Sequence, residues 1–287
     1  MAQTAPPLRR RVPTRRMSFD EEFAQVPKHF TAGGDLLSSH LVAALSAVFP
    51  DGEDFFVRSV RHYRGTVTDP ALKQQVAGFI GQEAMHGREH RAFNGRLAQL
   101  GYPTQAVERF VKMGLALRTR IAPAEHNLAA TAALEHFTAT LAELLLSNEQ
   151  LRADLGNDAV RNLFVWHALE ESEHKAVAFD VYQAIGGREW VRVFNMNLLT
   201  VGFFAQLIGQ MFASLVADPA TYQRGNLRSS WKRFRASPLL KTDVWRQLRD
   251  YNRKGFHPDD RNTTELAERW RAELFGEHGT LNGFLAS

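Results

Sequence analysis

The short pattern Glu-x-x-His occurs twice in this chain of 287 residues, at Glu83–His86 and at Glu171–His174, each time inside a long stretch of helical period. Residues three apart on an α-helix lie side by side, so each copy brings one carboxylate and one imidazole to the same point in space. A single copy occurs by chance on an ordinary exposed helix. Two copies, each with a further histidine in phase, constrain the fold far more, because two helices must face each other for the groups to meet. In the second copy His167, Glu171 and His174 fall at about 0°, 40° and 340° around the helix. In the first, Glu83, His86 and His90 fall at about 0°, 300° and 340°, again on one face. Glu170 lies at the edge of the second arc and could take the place of Glu171, whereas Glu173 points away.

The rest of the chain supplies the helices. Alternating Val, Ile and Thr runs bounded by turns are absent, and 3.6-residue periodicity predicts long helices over 35–64, 69–100, 124–148 and 157–185. The first is expected to break or kink near Pro50–Gly52. Asp69-Pro70 opens the second, and Asn157-Asp158 opens the fourth, which stops at Gly186-Gly187. Residues 104–120 suit a connecting helix, and shorter helices are expected near 241–254 and after Asn262. Long helices with one long crossover are the layout of a ferritin-like four-helix bundle. The expected fold is therefore all-α: a bundle over 33–187, a C-terminal helical extension over 188–287 packing on it, and a basic, disordered tail over 1–32.

A dinuclear carboxylate centre in such a bundle takes one further Glu from each of the other two helices. On the third, Glu135 has small neighbours, Thr131, Ala132, Thr138 and Ala139, that leave room for an ion; Glu143 is a weaker candidate. On the first, Glu53 stands among Phe49, Phe55 and Phe56, where a carboxylate is costly unless it is paired or metal-bound. Asp54 is the fallback there. Four carboxylates would balance two divalent ions. The chain has no cysteine, which excludes disulfides and thiolate sites and fits a reducing compartment. Oxygen and imidazole donors suit iron, or manganese, more than a closed zinc site. His86-Gly-Arg-Glu89-His90 also reads as the His-x-x-Glu-His motif of a zinc peptidase class. That motif belongs to a mixed α/β fold and leaves Glu83 and the 167–174 set without a role.

Taken in order, FPDGEDFF, QEAMHGREH, ALEH and WHALEESEHK resemble, over roughly residues 15–280, a bacterial family of ferritin-like proteins labelled predicted metal-dependent hydrolases. The spacing of His167, Glu171 and His174 is also similar to that of p-aminobenzoate N-oxygenases, in which a third histidine joins four Glu and two His. That resemblance implies seven ligands to two irons: Glu53, Glu83, His86, Glu135, His167, Glu171 and His174, with Glu83 and Glu171 bridging. His90 has no counterpart in the pattern and is an additional ligand or an outer partner. The expected function is an O2-dependent oxidoreductase acting on a small apolar or aromatic substrate. The alternative is a hydrolase using a metal-bridged water at the same site. No flavin or nicotinamide fingerprint is visible, so an oxygenase would need a separate electron donor. An oligomer is compatible with the sequence.

Charge and hydropathy are uneven outside the motifs. The net charge is +4, and residues 224–254 hold ten Lys or Arg against two Asp, with Trp231, Phe234 and Trp245 between them. A solvated basic face is the expectation there; nucleic acid is not. No charged residue occurs from Val193 to Ala217, long enough to cross a bilayer as a helix. Asn195, Asn197, Gln206 and Gln210 dilute it, and Gly202, Gln206, Gly209 and Ala213 form a small or polar stripe, so a buried helix is expected, with contact to a membrane surface through 193–254 as the alternative. No apolar run follows the basic start, so a signal peptide is not expected and a cytoplasmic location, with membrane association as an option, is.

Overall fold

Side-chain oxygens set where the long helices begin. Asp35 accepts the amide of Ser38 at the start of α1 (Leu36–His62), and Asp69 accepts those of Ala71 and Leu72 at the start of α2 (Pro70–Gln99). A connecting helix, α3 (Thr104–Ile121), carries the chain to α4 (Ala124–Ser147). Asn157 then caps α5 (Asp158–His174), which α6 (Val177–Ala184) follows. Beyond lie α7 (Glu189–Ala217), α8 (Asn226–Ala236), α9 (Thr242–Asp250) and α10 (Thr264–Phe275). This computed structural model describes residues 12–240 and 242–286, and among them there is no strand. The all-α expectation holds.

The four helices that carry the motifs enclose one interior. Helix α1 packs along α2, α4 packs along α5, and α1 and α4 also meet. One apolar cluster, with Phe55, Phe79, Phe137 and Phe179, fills one end; a second, with Phe93, Leu146, Leu163 and Trp166, fills the other. The C-terminal helices join both, through Val244, Leu248 and Tyr251 at the first end and through Ala267, Trp270 and Leu274 at the second.

Four expectations are corrected. Helix α1 is continuous through Pro50. Proline removes the amide that would bond the Ser46 carbonyl, and Asn94 Nδ2 donates to that carbonyl instead, at 3.1 Å. The expected helix over 157–185 is interrupted after His174, where Lys175 is drawn to the Arg261 carbonyl at 2.5 Å; it ends, as expected, at Gly186, whose φ is +71°. Residues 12–32 are no disordered tail. Met17, Phe19, Phe23, Val26 and Phe30 are buried, and Val12 and Thr14 lie so close to α2 that a Cβ at Gly78 or Gly81 would collide with them. Arg9, Arg10 and Arg11 fall outside the described residues.

The fourth correction concerns α7. It rests on α4 and α1 along one side only, and Trp190, Phe194, Val201, Ile208 and Phe212 stand exposed. Among the described residues nothing lies within 4 Å of a Cβ placed on Gly202 or Gly209, so the stripe expected to pack against a partner has none there. Among the described residues it is the one helix long and apolar enough to cross a membrane. Helix α3 lies beside it, joined by Arg118 to Asn195 at 2.5 Å, and exposes Phe110, Met113, Leu117 and Ile121.

Candidate metal centre

Every residue from Trp166 to Lys175 is buried, including two histidines and three glutamates. Across from them, α2 buries Glu83, His86 and His90, α1 buries Glu53 and α4 buries Glu135. Two groups of three donors come together: Glu53, His86 and His167, and Glu83, Glu171 and His174, each with donor atoms within 4.8 Å of one another. Glu135 closes the second group, with Oε2 3.3 Å from His174 Nε2. Glu171 lies between the groups, one oxygen 2.9 Å from His167 Nε2 and the other 3.5 Å from His174 Nε2. Glu83 Oε1 likewise faces His174 Nε2 at 3.1 Å and His86 Nδ1 at 3.6 Å. All seven sequence-derived candidates therefore share one small space.

The outer hydrogen bonds decide which nitrogen each histidine turns inward. Gln82 Nε2 donates to the Pro13 carbonyl and to Glu173, so its Oε1, 2.8 Å away, accepts from His174 Nδ1–H. His86 Nε2–H donates to Glu170 Oε2 at 3.0 Å, and Arg15 holds Glu170 from behind. The third case runs through four residues. Asn94 Nδ2 faces two acceptors, the Ser46 carbonyl and Glu108, which fixes the amide and makes its Oδ1 the acceptor of the Ser46 hydroxyl proton. Ser46 Oγ must then accept from His90 Nδ1–H, and His90 Nε2 from His167 Nδ1–H at 2.8 Å. Burial, with the charges of His167 and His86, lowers His90 well below the ordinary range and keeps it neutral in this chain of bonds.

Each of the three imidazoles thus points a lone pair at carboxylate oxygens. Nine inward atoms have no hydrogen-bond partner among the described residues: both oxygens of Glu53, Glu83 and Glu135, Glu171 Oε2, His86 Nδ1 and His174 Nε2. The 3.1–3.8 Å approaches between them lack the alignment of hydrogen bonds. Buried acceptors facing acceptors repel unless a cation lies between them. Histidines held by outer carboxyl, amide and imidazole groups are also how proteins orient metal ligands. The donor set fits divalent metal.

Titration without metal reflects the same crowding. Burial and the charges of Glu83 and Glu171 raise Glu53 well above the carboxylate range; burial with Glu171 and Glu83 raises Glu135 to about 8. Burial opposes charge on His86, yet Glu170 and Glu83 raise it to about 10, and His174 rises well above its ordinary value beside Glu171. Glu83 and Glu171 are lowered despite burial because those histidines face them.

A family model described as "Predicted metal-dependent hydrolase" matches residues 13–262. The chain belongs to that family. No curated protein and no solved structure matches it. In this family member the remaining candidates lie outside the cluster. His90 uses both ring nitrogens on His167 and Ser46, and Glu170 backs His86. Asp54 is exposed and pairs with Arg91 at 2.5 Å, and Glu143 pairs with Arg261. Glu89 accepts the Phe19 amide and Arg88, so the His-x-x-Glu-His reading loses its base. Sequence reasoning missed Arg15, Gln82, Ser46 and Asn94. Glu173 does point away from the cluster, but into a buried network with Arg15, Gln82 and Arg271. Periodicity could have flagged Gln82, one residue before Glu83; nothing in the sequence flagged Arg15.

Proposed function

We propose that the chain is a dinuclear metal-dependent enzyme, and that its reaction is the hydrolysis of an ester-type bond in an apolar substrate. The observation that carries the dinuclear part is the set of three lone pairs fixed inward against four buried carboxylates. The family's description supports hydrolysis. Glu53, His86 and His167 would hold one ion and Glu83, Glu135, Glu171 and His174 the other, with Glu83 and Glu171 shared. Bound there, the ions would supply an activated water at neutral pH and polarise the bond under attack. Glu53, whose two oxygens meet no donor among the described residues, would accept a proton in this reading. Water adds across the bond, leaving an acid and an alcohol. His90 keeps the His167 lone pair directed inward, and Phe49 and Phe164 make the space beside it apolar.

A second reading, an O2-dependent oxidoreductase with two irons and a separate electron donor, is favoured by the donor set. Oxygen and imidazole ligands without thiolate, completed by a third histidine, suit iron redox chemistry. The two readings separate in one experiment. Iron-, manganese- and zinc-loaded protein is tested for ester hydrolysis without O2, and the ferrous form is then mixed with O2 in a stopped-flow spectrometer. Anaerobic hydrolysis supports the first reading. A transient chromophore with no hydrolysis supports the second.

We also infer that α3 and α7 meet an anionic lipid surface. Both helices expose apolar residues, α3 also exposes Arg109, Lys112 and Arg120, and α8, which follows α7 in the chain, exposes Arg228, Lys232 and Arg235.

A further inference from the structure

A cavity of about 200 Å³ begins at His167 and Glu171 and runs away from them between α1, α4 and α5. Its walls are apolar: Leu41, Leu45, Phe49, Leu141, Leu145 and Phe164. The polar groups gather at its two ends. At the inner end are the two candidate ligands and Thr138; at the outer end are Asp35, Ser38, Asp154 and Arg233. Along α1 the lined stretch runs from Ser38 to Phe49, about 16 Å at the helical rise per residue. Leu45, Phe49, Leu141 and Leu145 are only partly buried although they line the same space as His167, so the gap is not closed by packing. An apolar-walled space of this kind takes apolar guests in preference to polar ones.

The geometry points to a channel for a long unbranched hydrocarbon chain, held with its inner end beside His167 and Glu171 and an anionic head at Arg233. This rests on the reading of those two residues as metal ligands and narrows the substrate from apolar to long-chain. Width excludes nothing by itself; length and polarity do. A compact aromatic substrate would leave most of the wall uncovered, and a polar one would meet no hydrogen-bond partner between the two ends. The outer end carries Arg233 beside Asp35 and Asp154, so an anionic head meets the guanidinium at the nitrogens that Asp35 leaves open. Arg233 is half exposed and bonds Asp35 at 2.5 Å, and Lys232 and Arg235 stand beside it in sequence. The reacting bond or carbon is then the one that reaches the inner end, under either reaction proposed above.

The test uses the full chain, metal-free, titrated calorimetrically with hexadecanoate and octanoate below their micellar concentrations, with metal content measured on parallel reconstituted samples. Hexadecanoate is expected to bind at least a hundredfold tighter than octanoate, because each further methylene that is buried adds roughly fourfold. Leu45→Trp fills the channel and is expected to cut hexadecanoate binding tenfold or more while two metals per chain remain. Leu141→Trp, on another helix, repeats the block should the first variant misfold, and Arg233→Gln should weaken hexadecanoate more than hexadecanol. Equal affinity for both acids, or binding indifferent to both tryptophans, overturns the proposal. Chain-length-dependent binding to a chain that takes up no metal upholds the channel and refutes the dinuclear reading, so the two failures are distinguishable.

Discussion

Helices α5 and α7 invert the usual relation between polarity and burial. The stretch Trp166 to Lys175, the end of α5 and the residue after it, holds three glutamates, two histidines and a lysine and is buried throughout. Helix α7 has no charge from Val193 to Ala217, yet its most apolar window is only 11% buried. The difference shows that burial follows from what satisfies a group, not from its hydropathy. Glu170, Glu173, His167 and His174 are tolerated inside because arginine, glutamine and histidine partners surround them, and because the unpaired atoms that remain converge on one small space. Helix α7 stays outside because the apolar face it would bury finds no opposing surface among the described residues.

Breaking the buried side has the largest expected effect. Glu171→Ala removes the oxygens that face both histidine groups, and metal content should fall below one ion per chain with activity at background, as read by elemental analysis and turnover. The metal-free wild type offers a second break. Glu135 is raised to about 8, so its contribution to stability is present below its ordinary value of 4.5 and is lost as the pH rises towards 8. His86, raised to about 10, contributes below 6.5 and loses that contribution as the pH climbs towards 10. Both have the same sign, so the melting temperature of the metal-free chain should fall from pH 6.5 to 10. Saturating metal should flatten this dependence and add about 2.7 kcal/mol at a hundredfold excess over Kd.

Arg15→Ala tests whether the outer network matters to the inner one. Arg15 bonds Glu170 and Glu173, and Glu170 orients His86; metal affinity should drop by roughly ten- to a hundredfold in competition with a chelator. The smallest effect on the fold belongs to the other side of the comparison. Ile208→Asp with Phe212→Asp on α7 should change stability by no more than about 0.5 kcal/mol, yet abolish co-sedimentation with anionic vesicles. If vesicles never bind and light scattering instead gives a dimer that the double variant dissolves, the face is a protein interface and the lipid inference fails.

Much of the interior was legible because helical phase is a strong signal. Two Glu-x-x-His copies placed four groups, and the aromatic and small-residue neighbourhoods placed Glu53 and Glu135. The outer partners were not legible. Arg15 sits in a stretch whose composition reads as a solvated tail, and only the three-dimensional path along Gly78 and Gly81 brings it to Glu170. Pro50 misled for a similar reason, since the donor that rescues the helix, Asn94, lies on another helix. The exposure of α7 was hidden because a sequence records how apolar a face is but not whether anything stands opposite it.

The central claim is that the three histidines and four glutamates hold two ions. Elemental analysis of the full chain, purified without added metal and again after ferrous reconstitution, tests it most directly. Two ions per chain in the wild type and fewer than one in Glu171→Ala is the predicted result. Fewer than one ion per chain in reconstituted wild type would contradict the account, because the inward lone pairs of His86, His167 and His174 would then face carboxylates with nothing between them but protons.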